Sequence, residues 1–539
     1  MKALTLRLPG LLLGAGMMAL FVAIPYASFT SDVANYALMG WDIINRGYLP
    51  TLAYGQSYLF SLTPYSFALT RLILPEWISD IVALKIAGAL FSIPGMLLVF
   101  ESLLMAQRQT GKPQLAPLAL FAIIMASSDA YLFDLSLNSS NEMSILLTGA
   151  LMYVAGRIDL EMDTGAKPSW RLWAMLGVVV IMMQYIRPML LTFALPAIFF
   201  LLLKIRGSDG IKAAAKPLAP FAVGIAIGYL PMLAHILFRA ENWPYTWFLP
   251  LEIGGGFGIE NAVGVLSYVI LPRLMTMLWD EAPIRFVITA LWLAAVMAIV
   301  ILAVARRGER GAFTVTDKTW VIGQASSILI MAMIPALSGD TGARRYCLHL
   351  LPAVAWIFVR FAFPLGKASM VAVALALAMV VSSTAGWRDK IAWEWSRNVQ
   401  LAQTKESAIP ELAALDAVIL TEYWDAYLLS FISREKFTVE AFPWQIIRRY
   451  GYFTREDMRR RTVWLVCDGY AHDTQNWLIA EVGAEAVNGM KRRDLENTIV
   501  GRRCEAWELQ DPYLPEKVME KHQPRFFSTA YPPGQAFQD

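Results

Sequence analysis

The sequence predicts a polytopic α-helical membrane protein of about 11 transmembrane helices, followed by a C-terminal soluble α/β domain. Three observations carry that class. Of the 539 residues, 57% are hydrophobic and 17% charged, where soluble chains run near ~25% charged. The apolar residues gather in runs suited to a bilayer core of about 30 Å, which takes roughly 20 residues of helix. After Gly386 the composition turns to Arg, Glu, Asp and Trp, with no further run of membrane length.

The expected spans are 8–27, 83–107, 114–127, 143–157, 172–186, 188–204, 217–238, 283–305, 319–338, 346–363 and 367–386. The first follows Lys2 and Arg7 and has the look of a secretory signal; the spans behind it make an uncleaved membrane helix the better reading. Pro94 and Pro352 fall inside spans, where neighbouring helices can satisfy the freed backbone groups. Lys and Arg in short loops favour the cytoplasm. With the N-terminus inside, Arg108, Lys112, Arg157, Lys167, Arg171, Lys204, Arg206, Lys212, Lys216, Arg306, Arg307, Arg310 and Lys318 all fall inside. Loop 128–142 has no Lys or Arg and falls outside. An odd number of spans then leaves the C-terminal region outside.

Within that region, residues 387–510 read as an α/β domain. Ala417–Leu420 (AVIL) and Val463–Cys467 (VWLVC) have the short, bounded apolar form of buried strands. The tail 511–539, with PYLPEK and YPPGQ, reads as extended or wrapped over the domain. Cys467 and Cys504 both fall in expected strands; an oxidising compartment permits a bridge between them, and two buried thiols are the alternative. Composition excludes a soluble enzyme, a disordered scaffold and a coiled coil. A net charge of +3 without a basic block argues against nucleic acid as a partner. Four His and three Cys are too few for a His-rich or Cys-rich metal centre. A divalent cation on carboxylates remains open as the one cofactor, and nothing in the sequence requires it.

Chemistry is sought where charge meets the membrane, because charge is costly there. Loop 28–82 is too long for a simple connector. Asp32 follows the first span directly, and Asp42 lies in an amphipathic stretch read as lying along the interface. A carboxylate at that surface can take a proton from an attacking hydroxyl; Thr30, Ser31 and Asp32 are equally good helix caps. Asp129, Asp134, Asn141 and Glu142 gather in the second outer loop and suit either a metal, a polyol or plain solvation. Arg187, in the turn YIRPML, and Arg344–Arg345, in GDTGARRYCLHLLP, are the cations suited to a phosphate, with snorkelling to lipid headgroups as the structural alternative. His349 lies one turn beyond Arg345, a spacing that can face it into the same cavity as a substrate-binding residue; the alternative is the packed hydrogen bonder that a lone membrane His more often is.

The segment DVANYALMGWDIINRGYLPTLAYGQSYLFSLTPY resembles the first extracytoplasmic loop of bacterial GT-C glycosyltransferases, in the branch related to protein O-mannosyltransferases and aminoarabinose transferases. Asp32 matches the family's acidic residue, Val33 stands where the family usually has Glu, and Gly55, Gln56 and Tyr58 match its middle segment. YIRPMLLTFALPAIFFLLL, RRYCLHLLPAVAWIF and EYWDAYLLSFIS resemble further family elements, in order, over nearly the whole chain. The resemblance implies a transmembrane catalytic module over 1–386, a periplasmic α/β domain over 387–510 and a Pro-rich tail over 511–539. It implies a multi-pass protein of the bacterial inner membrane, with a polyprenyl-phosphate sugar as donor and a glycan, glycolipid or protein as acceptor. Asp32 would deprotonate the acceptor hydroxyl, with inversion at the sugar. Arg345 and Tyr346 would hold the leaving phosphate with help from Arg187, and Glu142 and Asp129 would line the acceptor or metal side. The substitution at Val33 weakens any metal site there.

Two other classes compete. A transporter or flippase of lipid-linked sugars needs similar contacts but also charges along a path across the bilayer, and no internal repeat supports it. A non-catalytic assembly factor predicts tolerance of Asp32→Asn.

Overall fold

The computed structural model describes residues 2–27, 29–47, 49, 61–111, 113–135, 141–210, 215–239, 313–332, 348–362, 387–443, 461–469, 471–508, 511 and 514–522. Its helices are α1 (Lys2–Ala23), α2 (Ser31–Arg46), α3 (Thr63–Ile73), α4 (Asp80–Thr110), α5 (Leu115–Ser127), α6 (Asp129–Leu135), α7 (Asn141–Asp163), α8 (Trp170–Ile186), α9 (Leu191–Asp209), α10 (Leu218–Arg239), α11 (Val315–Ala332) and α12 (Leu350–Ile357). Among the described residues, four stretches are long and apolar enough to cross a membrane: Leu4–Ala23, Asp80–Thr110, Asn141–Asp163 and Pro188–Gly207. Leu115–Ser127, Trp170–Ile186, Leu218–Leu233 and Leu350–Phe361 are shorter apolar helices. The expected spans 283–305 and 367–386 lie outside the described residues.

Helix directions alternate as the charge pattern requires. Arg7 pairs with Glu101 through two hydrogen bonds, and Gly10 and Gly14 face Phe100 and Ile93, so α1 runs antiparallel to α4. Gly95 meets Leu146 while Gly156 meets Met105, which makes α4 and α7 parallel, with α5 returning between them. Gly224 packs on Ala174 and Gly228 on Val178, so α8 and α10 are parallel, with α9 returning. Thr192 reaches Ser327 (2.6 Å) while Lys318 lies over Phe200, so α9 and α11 are antiparallel.

One end of the bundle gathers the charges expected to face the cytoplasm. Lys204 Nζ donates to Asp159 and Asp163 (both 2.5 Å), and Asp159 also accepts from the Val315 N–H at 2.9 Å. Asp317 accepts from Arg360 through both carboxylate oxygens (2.9 and 2.7 Å) and from Trp356 Nε1 (2.8 Å), and Arg360 also donates to Thr110 (2.9 Å). These bonds tie together the ends of α4, α7, α9, α11 and the turn after α12.

Between helices the closest approaches are made by glycine, as in membrane bundles where small residues let backbones touch. A Cβ on Gly149 would stand 2.3 Å from Gly95 O, and one on Gly224 would stand 1.9 Å from Ala174 O. Gly149→Val is therefore expected to cost about 1–3 kcal/mol or more. It should lower the temperature at which the purified protein aggregates in detergent. Gly16→Ala, where an added Cβ meets nothing within 4 Å, should leave that temperature unchanged.

The C-terminal region begins with helix α13 (387–403), whose Trp387 Nε1 donates to Ser127 O at 2.7 Å. It continues with β1 (Val418–Thr421), α14 (Tyr423–Ile432), β2 (Val439–Ala441), β3 (Thr462–Cys467), α15 (Ala471–Val482), β4 (Lys491–Asp494) and β5 (Cys504–Glu508). The two apolar runs read as strands are strands β1 and β3. The sheet order is β2-β1-β3-β5-β4. β1 is parallel to β2 and β3, whereas β5 is antiparallel to β3 and β4. Cys467 and Cys504 face each other across the β3–β5 ladder and form a disulfide. In the tail, residues Leu514–His522 form helix α16 rather than extended chain, with Val518 and Met519 buried and Lys521 bonded to Glu481 at 2.8 Å. Pro515 sits in its first turn, where proline has no intrahelical bond to lose.

Helices α2 and α3 do not lie apart as an interfacial loop. Phe29, Val33, Ala37, Leu38, Phe67 and Leu84 share one apolar core with Tyr427, Leu428, Phe431 and the strands. Phe431 alone meets the rings of Trp41 (4.8 Å), Phe29 (5.6 Å) and Phe67 (6.3 Å). Arg434 and Glu435, in left-handed backbone after α14 (φ 55° and 56°), carry their charges onto Asp80 and Arg46. The described parts of the first loop and of the C-terminal domain therefore pack on one another at one end of the bundle.

Candidate functional site

The first turn of α2 is set by its cap. Thr30 takes extended backbone (φ −126°, ψ 171°), and its hydroxyl accepts from the Val33 N–H at 3.4 Å. Ser31 Oγ accepts instead from the Tyr427 N–H at 3.2 Å. The Asp32 carboxylate accepts a hydrogen bond from Tyr423 Oη of α14. An acidic group in the first turn also meets the positive end of the helix dipole. Tyr423 is placed by its own cap, Glu422, which accepts from the Trp424 N–H at 2.7 Å. The carboxylate is half-buried at the seam between membrane bundle and soluble domain.

Asp42 goes elsewhere. It is buried, forms an ion pair with Arg46 one turn on, and Arg46 reaches Glu435 at 3.3 Å. That pairing closes the contact between α2 and the soluble domain.

A second polar group lies at the start of α7. Buried Glu142 accepts from Thr63 Oγ1 at 2.5 Å, and Asn141 Oδ1 accepts from Arg187 Nη2 at 2.6 Å. Arg187 is held in extended backbone (φ −155°) between α8 and the turn Pro188–Leu190. His349 is buried nearby, 3.3 Å from Thr148 Oγ1 and edge-on to Phe193 at 5.4 Å. This is the packed hydrogen bonder expected of a lone membrane histidine. Asp129 falls in α6, where its side chain lies outside the described residues. Gln56, Tyr58, Arg344, Arg345 and Tyr346 also lie outside the described residues. No group of three or more His, Cys, Asp or Glu side chains suited to a metal ion occurs among the described residues.

Sequence reading passed over Lys85. It is wholly buried five residues into α4, donates to Ala27 O at 2.7 Å, and feels the carboxylates of Glu394 and Glu142. A single cation inside an otherwise apolar run was the available signal.

A cavity of about 530 Å³ opens between Thr30, helix α13 and α14; Asp32 and Tyr423 are close chain neighbours of its lining residues Thr30 and Trp424 and do not themselves line it. Trp424 lines it at 50% exposure, whereas Tyr427 is buried. Both carboxylate oxygens of Asp425 accept from Arg502 Nη2; burial pushes its carboxyl up and the guanidinium opposes the shift. Burial pulls Arg397 down from its ordinary range, against the pull of Glu394 and Asp425.

Two solved structures similar to this chain are ArnT from Cupriavidus metallidurans bound to undecaprenyl phosphate, and the apo form of the oligosaccharyltransferase of Archaeoglobus fulgidus. The first has TM-score 0.44 and 14% identity, covering 91% of this chain and 97% of that one. The second has TM-score 0.42 and 13% identity, covering 89% of this chain and 69% of that one. No family model matches the chain, and no curated protein matches it.

Proposed function

We propose that this chain is a membrane glycosyltransferase that moves a sugar from a polyprenyl-phosphate donor to an acceptor hydroxyl on the periplasmic side. The observation that carries the reading is Asp32: a half-buried carboxylate in the first turn of α2, held by Tyr423 of the soluble domain, with a cavity opening at the neighbouring residues Thr30 and Trp424. The ordered motifs of the sequence agree with it.

In this mechanism the acceptor O–H gives its proton to the Asp32 carboxylate as the oxygen bonds to the anomeric carbon. The carbon–oxygen bond to phosphate breaks on the opposite face, its electron pair leaves with the polyprenyl phosphate, and configuration inverts. Arg345 and Tyr346 hold that phosphate, with Arg344 and Arg187 adding positive charge. Fixed donors aimed at developing charge are usually the largest catalytic effect. Glu142 and Asp129 serve the acceptor or metal side, and Gln56 and Tyr58 are further substrate-binding residues. Residues 1–386 form the catalytic membrane module of 11 helices, with the N-terminus cytoplasmic. Residues 387–510 form a periplasmic domain, for which the Cys467–Cys504 bridge suits an oxidising compartment.

A transporter needs charge along a path through the bilayer. The described ion pairs, Asp159–Lys204 and Asp317–Arg360, lie at one end and the Asp32 group lies at the other, which favours a surface reaction.

Mass spectrometry of outer glycolipids, polysaccharides and surface proteins tests the reading. A deletion strain should lack one sugar's mass on a defined species, and an unchanged set would reject transfer. Tyr423→Phe removes one hydrogen bond to a carboxylate, worth about 1.5–3 kcal/mol. It should lower kcat by roughly 10- to 100-fold at constant KM, because Tyr423 positions the base without touching substrate.

A further inference from the structure

The cavity between Thr30, α13 and α14 is built unlike a solvent gap. Helix α13 contributes Trp393, Arg397 and Gln400, and α14 contributes Trp424 and Asp425, with Arg502 bonded to Asp425. Both indoles stay about half exposed, Trp393 at 52% and Trp424 at 50%. Lys390 Nζ sits 4.4 Å from the Trp393 ring centre and Arg397 Cζ 5.6 Å from it, so cations attend one aromatic wall. Trp424 meets Tyr423 edge-on at 5.0 Å, and Tyr423 is the residue that holds Asp32.

The charges are unequal. Two guanidiniums line the cavity against one carboxylate, and Arg502 is engaged with that carboxylate. Arg397 spends one N–H on Phe29 O at 3.0 Å, and its Nε has no acceptor among the described residues. A guanidinium carries five donors in a fixed fork, so this wall offers more N–H groups than the protein consumes. An indole face is flat, apolar and electron-rich, which suits the C–H-bearing face of a pyranose ring; Trp combines such area with a polar edge. The amide of Gln400 and the hydroxyl of Ser396 add neutral partners of the kind that sugar hydroxyls take.

We infer that this cavity binds a sugar bearing an anionic group, phosphate or carboxylate, with its ring on an indole and its anion on Arg397. That the bound sugar belongs to the acceptor rests on the glycosyltransferase reading; that it binds does not. The cavity then delivers the acceptor past Trp424 and Tyr423 to Asp32.

The test is saturation-transfer NMR on the full chain in detergent, without donor, using glucose 6-phosphate, glucuronate and glucose. Both acidic sugars should bind, and glucose should bind about tenfold more weakly, the weight of one charge-assisted hydrogen bond. The two acidic probes tell phosphate from carboxylate by their relative affinity. Trp424→Ala, at an exposed position where folding is preserved, should abolish the ring contact, and Arg397→Gln should erase the preference for acidic sugars. Asp32→Asn should leave binding intact, which separates a failed base from a failed subsite. Absence of binding, equal binding of glucose, or unchanged binding by Trp424→Ala would each overturn the proposal. So would a Trp424→Ala defect seen only in association with anionic lipid nanodiscs, which would make the cavity a headgroup contact.

Discussion

Asp32→Asn is expected to leave a folded membrane protein whose transfer rate falls by about 10²–10⁴-fold, the range that a general base contributes. The substitution keeps the side chain's shape and leaves an amide oxygen for Tyr423. It spares the Thr30 cap and the Ser31–Tyr427 bond that fix the helix end. What it removes is proton affinity. The lost charge at the helix N-terminus costs only about 0.3–1 kcal/mol of stability, so protein level should match wild type. Measured as product mass per unit of purified protein, full activity at matched level would transfer the base elsewhere. Asp42, sealed against Arg46, is a poor replacement, which leaves Glu142 beside Thr63 as the next residue to change.

Arg360→Leu is expected to cost the most stability. Asp317 is fully buried, and Arg360 supplies two of its hydrogen bonds. Removing one partner of a buried pair leaves an uncompensated charge, typically about 3–5 kcal/mol. The variant should accumulate poorly and aggregate at a lower temperature after detergent extraction. The double substitution Asp317→Leu with Arg360→Leu should recover much of that loss, because the unpaired charge disappears. Recovery stays incomplete, since Trp356 Nε1 and the Thr314 N–H lose their acceptor. A single variant as stable as wild type would show that water or lipid reaches Asp317.

The bundle was legible because apolar periodicity and loop charge are local signals. The spans read at 83–107, 114–127 and 172–186 are helices Asp80–Thr110, Leu115–Ser127 and Trp170–Ile186. The helix ends carrying Lys204, Asp159 and Lys318 meet as loop charge requires. Strands Val418–Thr421 and Thr462–Cys467 were readable as bounded apolar runs. Asp32 was identifiable, but its partner was not: Tyr423 is 391 residues away, and no local pattern announces so distant a contact. Asp42 reads as interfacial because α2 is amphipathic, but its ion pair with Arg46 and the cover that Phe431 gives α2 come from contacts no local pattern announces. Trp424 reads as core because indoles usually are, whereas the α14 cap turns it outward beside buried Tyr427. The tail helix was hidden by its prolines, which mark turns and helix starts alike.

The shared core of α2, α3 and the soluble domain has a consequence for how the chain is made. Phe29, Val33 and Phe67 emerge early, while Tyr427, Phe431 and the sheet that cover them come last. At about 5–20 residues per second, the 391 residues between Asp32 and Tyr423 take roughly 20–80 s to synthesise. Throughout that interval the first loop presents a bare apolar face on its own side of the membrane. The last portion of the chain must be delivered to the same side before it is covered. Biogenesis of this protein is therefore a race between delivery of the C-terminus and wrong association of the N-terminal loop, and a chain stopped before residue 431 is a natural target for proteolysis.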